Sequence, residues 1–122
     1  SDDGLDELSA SAATTVGELK DGRITMYTVE PETFGFARQT GFKHLQINSA
    51  QESLAMVKAA LTYADQQAAD IVALNAGAAI YAANVTDSLV DGVKLAVKVL
   101  HSGEAVELLA KLSAYSNDMA NE

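Results

Sequence analysis

The sequence predicts a helix-rich α/β chain, one that taken alone looks α+β: a β-hairpin followed by about four helices. Three observations predict it. Asp21-Gly22 separates two runs rich in β-branched and apolar residues, which is the turn chemistry of a two-residue hairpin. From Ser49 onward the chain is rich in alanine and carries apolar residues at three- and four-residue spacing. Capping and breaking residues divide that stretch into separate segments. The length, 122 residues, is that of one domain.

Residues 1–13 are acidic, then small and polar, with no clear period. The hairpin covers 14–29. A type I′ turn needs positive φ at both central residues, and Asp-Gly supplies it, with Lys20 and Arg23 then facing each other at the strand ends. Pro31 removes a ladder donor and holds Glu30 extended, so the second strand stops there. Phe34-Gly35-Phe36 is expected to pack a loop onto the body. His44 reads as a surface or capping histidine, because no His, Cys or carboxylate stands at metal-ligand spacing from it.

The helical region covers 49–119. Ser49-Ala50-Gln51-Glu52 is a capping box, in which Ser49 accepts from the Glu52 amide while Glu52 reaches back. The helix it opens has Leu54, Val57 and Leu61 on one face and fades near Tyr63 or Ala64. A second helix spans 67–83. Val72, Ala76, Ala79, Ile80 and Ala83 form one stripe; Ile71, Leu74, Ala78 and Tyr81 form another; Asp70 is the only charge. A helix apolar nearly all round is buried on several sides. Gly77 permits close approach of a neighbour, and Asn75 needs a hydrogen-bond partner, so Asn75 is given a structural role. Thr86 is expected to cap the third helix, with Asp87 in its first turn. Leu89, Val93, Ala96, Val97 and Leu100 make its apolar face, and His101 suits its C-terminus. Ser102-Gly103 breaks the chain. The last helix is expected to turn Ala105, Leu108, Leu109 and Leu112 inward, to pair Glu107 with Lys111, and to fray after Tyr115. A lone hairpin is marginal, and the nearly all-apolar second helix calls for more cover. The sequence therefore reads as an α/β fragment whose N-terminal portion is missing.

Composition narrows the function classes. The chain is 48% hydrophobic and 20% charged, which is a folded rather than a disordered balance. It has no cysteine, which excludes disulfides, Cys-based zinc and iron–sulfur sites, and a thiol nucleophile. Lys plus Arg number 8 against 17 Asp plus Glu, for a net charge of -9. That surface repels a phosphate backbone and an anionic bilayer, so neither nucleic acid nor a membrane is an expected partner. No apolar run approaches the ~20 residues of a membrane span. The polar start Ser1-Asp2-Asp3-Gly4 does not read as a signal peptide, and with the lack of cysteine the expected location is cytoplasmic.

One constellation invites chemistry: Asp2-Asp3-Gly4-Leu5-Asp6-Glu7-Leu8-Ser9. Its carboxylates could converge on one cation in a turn allowed by Gly4. Hard oxygen donors of this kind suit Mg²⁺, which keeps several waters and bridges to substrate phosphates. From these residues alone, a solvated acidic terminus is the simpler reading. Walker-type and dinucleotide-binding glycine loops, zincin motifs and nucleophile elbows are absent.

The whole chain resembles the C-terminal portion of the anthranilate phosphoribosyltransferase family. The resemblance is carried by Asp3-Gly4-Leu5-Asp6-Glu7-Leu8-Ser9, Thr15-Val16-Gly17-Glu18-Leu19, Asp21-Gly22-Arg23-Ile24 and Pro31-Glu32-Thr33-Phe34-Gly35. It continues in Leu74-Asn75-Ala76-Gly77-Ala78, Asp91-Gly92-Val93 and Ser102-Gly103-Glu104-Ala105. It implies that residues 1–122 are the C-terminal part of a catalytic domain with a metal-binding loop at 1–9. It also implies an enzyme, homodimeric when complete, that joins phosphoribosyl pyrophosphate to anthranilate in tryptophan biosynthesis and releases pyrophosphate. The family's acidic pair, which holds Mg²⁺, maps onto Asp6 and Glu7. The chain departs from the family at Gln46-Ile47-Asn48 and Glu52-Ser53-Leu54, where paired glycines and Glu-Asn-Ala are usual, and at Thr33. The family's glycine-rich pyrophosphate loop, Lys-His-Gly-Asn stretch and anthranilate-facing arginine have no equivalent, so the isolated chain is expected to be inactive. The alternatives are a fragment of a pyrimidine nucleoside phosphorylase and a non-catalytic helical binding module.

Overall fold

Asp21 and Gly22 both take positive φ, 51° and 75°, and the chain reverses on them. Strands β1 (Thr14–Lys20) and β2 (Arg23–Val29) pair antiparallel from Thr14↔Val29 to Lys20↔Arg23, and they form a two-stranded sheet. Helices α1 (Ala50–Leu61), α2 (Gln66–Ala82), α3 (Leu89–Ser102) and α4 (Glu104–Ala120) follow, with short 3-10 turns at Pro31–Phe34 and Lys43–Leu45. The structure, a computed structural model, describes residues 1–120. The helix-rich hairpin-plus-four-helix arrangement is the one the sequence predicts.

The core is the crossing of α2 and α3. Ala69, Ala73 and Gly77 lie one helical turn apart and are buried, which brings small residues to the seam. The backbones touch there: a Cβ on Gly77 would lie 2.5 Å from Val93 Cα, and one on Gly92 would lie 2.3 Å from the Gly77 carbonyl oxygen. The deepest stripe of α2 is thus a third one, between the two expected from the pattern. Leu74 and Val93 pack with Ala10, and Phe34, Phe36 and Leu8 close over them. The Phe34-Gly35-Phe36 loop therefore packs onto the body as expected. Arg38 pairs with Glu30 and Glu32 across this loop.

The caps are mostly those the sequence specifies. Ser49 Oγ accepts from the Glu52 amide at 3.1 Å, while Glu52 reaches back to the amide of Asn48, at 2.7 Å. Gly103 takes φ 82° and stops α3. The α3 start is a correction. Ser88, not Thr86, is the cap: its Oγ accepts from the Asp91 amide at 3.1 Å, and Asp91 rather than Asp87 is the acid of the first turn. Thr86 instead donates to the Ser88 carbonyl, at 3.1 Å.

The inward face expected of α4 is corrected in part: Ala105 packs against the Ala73, Ala96 and Leu100 cluster and Leu109 is half-buried, as expected. Leu108 and Leu112 are 67% and 60% exposed, and residues 110–119 that follow are exposed as well. Leu54 and Val57 of α1 are likewise exposed. No ion pair joins Glu107 and Lys111 among the described residues, and α4 runs on to Ala120. No described helix is long and apolar enough to cross a membrane.

Candidate functional site

The acidic loop 1–13 is wound around Asp3. Gly4, with φ 91°, turns the chain so that the Asp3 carboxylate faces back into the loop. It accepts from the hydroxyls of Ser1 (2.6 Å), Ser9 (2.5 Å) and Ser11 (2.8 Å), and weakly from the Leu5 amide (3.4 Å). Burial pushes this carboxyl upward, but the four hydrogen bonds outweigh it and hold Asp3 well below the usual carboxylate range. The loop is tied further by the Asp2 amide to Ala13 and by the Gln39 amide to Ala10, both at 2.9 Å. Its other end is tied to α2. Asn75 Oδ1 accepts from the Leu8 amide at 2.9 Å, and Asn75 Nδ2 donates to the carbonyls of Leu8 and Ile71, each at 3.0 Å. The partner that Asn75 needs is therefore the acidic loop itself.

Asp6 and Glu7 lie between these ties, both exposed. Among the described residues neither makes an ion pair, and no group of three or more His, Asp or Glu side chains is arranged to hold a metal ion. The acidic residues of the loop do not all gather at one point, because Asp3 is committed to the serines. What remains is two adjacent, uncommitted carboxylates. These do not make an all-protein cage. They do fit a Mg²⁺ ion that keeps its waters and is shared with substrate phosphate.

Beside the loop, a cleft of ≈ 540 Å³ opens between β1 and the end of α2, walled by Leu8, Val16, Tyr27, Ala78 and Leu89. Tyr81 spans its polar side. Its hydroxyl donates to Glu18 at 2.5 Å and accepts from Lys20 Nζ at 3.4 Å, with the ammonium 5.1 Å from the ring centroid. The hydrogen bond with Tyr81 raises the Lys20 pKa. The turn signal by itself assigns this hairpin only a connecting role. Alternation along β1 puts Val16 and Glu18 on the covered face and is the one available signal.

The histidines stay apart from this region. His44 Nε2 lies 2.6 Å from Asp65 Oδ2, while Asp65 Oδ1 caps α2 by accepting from the Ala68 amide at 3.0 Å. The surface role given to His44 holds. His101 stacks on Tyr63 with ring centroids 4.2 Å apart, and the Tyr63 hydroxyl donates to Asp70 at 3.2 Å. Burial, helped by the Asp70 charge, pushes Tyr63 up to about 12. Burial also pushes the Asp70 carboxyl up, since that side chain is almost fully enclosed.

Hairpin, helix pair and acidic loop recur together in known proteins. Residues 1–106 match the family model described as the glycosyl transferase family, a/b domain. The chain belongs to that family.

Within it, the chain is similar to anthranilate phosphoribosyltransferases. It is 49% identical over 118 residues to the one from Acidovorax sp. (strain JS42), which covers 97% of this chain and 34% of the relative. It is 49% identical over 119 residues to the one from Methylococcus capsulatus, covering 98% of this chain and 35% of the relative. The crystal structure of anthranilate phosphoribosyltransferase from Thermus thermophilus superposes with a TM-score of 0.81 at 38% identity, over 92% of this chain and 33% of that one. The chain thus spans about a third of the length of the relatives it matches.

Proposed function

We propose that this chain is the part of an anthranilate phosphoribosyltransferase that carries the magnesium-binding acidic pair. The complete enzyme joins phosphoribosyl pyrophosphate to the anthranilate amine, releases pyrophosphate, and works as a cytoplasmic homodimer. The observation that carries this reading is the 49% identity to an anthranilate phosphoribosyltransferase over 97% of the chain. Asp6 and Glu7 are the residues that would hold Mg²⁺. When bound, the ion supplies charge neutralisation to the departing pyrophosphate. The two carboxylates present unpaired oxygens to solvent beside a fixed loop, and so hold the site open toward an incoming diphosphate. Formation of positive charge on the sugar asks for positioning rather than for a protein nucleophile, and no nucleophile is assigned here.

The isolated chain lacks the remaining two-thirds of its relatives' length and is expected to give no turnover. A chimera tests the reading: this chain replaces the matching third of the Acidovorax enzyme in a tryptophan auxotroph. Growth without tryptophan is the expected result, lost when Asp6→Ala and Glu7→Ala are combined. A folded chimera that supports growth equally well with both carboxylates removed would overturn the assigned metal role.

A further inference from the structure

Asp6 and Glu7 are the only two residues between two anchored points of the loop. At Leu5, the amide leans on Asp3, and the carbonyl lies 2.9 Å from the Ser1 hydroxyl, whose single proton it shares with Asp3. At Leu8, both backbone groups are taken by Asn75. The anchoring side chains have no capacity left over. A carboxylate offers about four acceptor positions. Asp3 Oδ1 receives Ser1 and Leu5, and Oδ2 receives Ser9 and Ser11. No lone pair of Asp3 is left for a cation. A carboxamide offers two N–H donors, and Asn75 places both, one of them on its own helix at Ile71. That helix is locked against α3 at Gly77 and Val93, so the tie reaches the core of the molecule.

We infer that Asp3 and Asn75 are the positioning residues of the Asp6–Glu7 cation site: Asp3 is the post around which the loop is wound, and Asn75 fixes the loop to α2. The inference rests on the metal reading above. It separates three neighbouring acids by role, with Asp6 and Glu7 as ligands and Asp3 as a support that never touches the ion. A supporting group of this kind sets ligand orientation, and its loss typically lowers metal affinity.

The test uses the full 122-residue chain, with Mn²⁺ alone as the probe and amide NMR line broadening as the readout. In the unaltered chain, broadening should centre on Asp6 and Glu7, and Asp6→Asn with Glu7→Gln should remove it. Asp3→Asn keeps the shape and one acceptor oxygen, and the serine hydroxyls rotate to meet the new amide, so its affinity should stay within about twofold of the unaltered chain. Asp3→Ala and Asn75→Ala should each weaken binding about tenfold and spread the broadening along the loop. Loss with Asp3→Asn as deep as with Asp6→Asn would make Asp3 a ligand and overturn the inference. Unchanged affinity in both alanine variants would overturn it as well, while leaving the metal reading intact. No localised broadening in the unaltered chain would overturn the metal reading, and this inference with it. If the core resonances of α2 and α3 show Asn75→Ala to be unfolded, Asp3→Ala, checked by the same resonances, decides alone.

Discussion

Asp70 shows how a single buried charge bears on stability. It is 4% exposed and faces the Tyr63 hydroxyl, and burial raises its pKa above the ordinary carboxylate value. Folding therefore disfavours the ionised form. The contribution of this group is most favourable at low pH and is lost as pH rises through its raised folded pKa. Asp70→Asn removes the charge and keeps an acceptor for Tyr63. Its melting temperature at pH 7 is expected to exceed that of the unaltered chain, with the gap closing as pH falls toward 4. Asp3, Asp65 and Asp91 have lowered pKa values and shift stability in the opposite direction. The variant-minus-parent difference measured across pH isolates Asp70 from them. A constant gap across that range would remove burial of charge as the cause. The residue scale is also where sequence reasoning reaches least far. Asp6 and Glu7 are legible only through resemblance to a family. The roles of Asp3 and Asn75 depend on contacts with Ser9 and Ser11, and across the 67 residues that separate Asn75 from Leu8.

At the scale of elements, local chemistry is legible and placement is not. The Asp21-Gly22 turn, the Ser49 cap and the Gly103 stop each depend on a few adjacent residues, and each forms as the sequence predicts. Thr86 and Ser88 are both good caps two residues apart. The path of the chain chooses between them: Ser88 has the extended backbone of a cap, φ -140° and ψ 155°, and α3 begins at the next residue. Ser88→Ala should therefore cost about 1 kcal/mol in denaturant unfolding. Thr86→Ala should cost less than Ser88→Ala, because its hydroxyl bonds a single carbonyl. Gly77→Ala is a sharper test of the α2–α3 crossing. The new methyl would collide with Val93 backbone, which has no rotamer to change, so a loss of about 3 kcal/mol or more is expected. Periodicity shows that α4 carries a stripe at Leu108, Leu112, Tyr115 and Met119, but it cannot show what faces that stripe. All four side chains are exposed in this chain, by 58% at Met119 to 67% at Leu108. Removal of residues 110–122 should leave the midpoint of unfolding of the remaining chain nearly unchanged.

At the scale of the whole molecule, the fold class is legible because hairpin and helix signals are strong, local and in order. The origin of the exposed faces is less accessible. Apolar residues on α1, α4 and the outer side of the hairpin are open in this chain, which spans about a third of its relatives' length. The near-uniform apolarity of α2 is accounted for within the chain by α3, the Phe34–Phe36 loop and the acidic loop. What the chain contributes to catalysis is narrow on this account: a stiff helix pair that presents two carboxylates on a tied loop. The most direct test is the initial rate of phosphoribosyl transfer to anthranilate by the purified chimera, measured across Mg²⁺ concentration. With Asp6 and Glu7 intact, the rate should rise with Mg²⁺ and saturate. With Asp6→Asn and Glu7→Gln combined, it should fall at least about 100-fold at every Mg²⁺ concentration, the scale expected when stabilisation of a developing charge is lost. A double variant that matches the parent's rate and Mg²⁺ dependence would contradict the account.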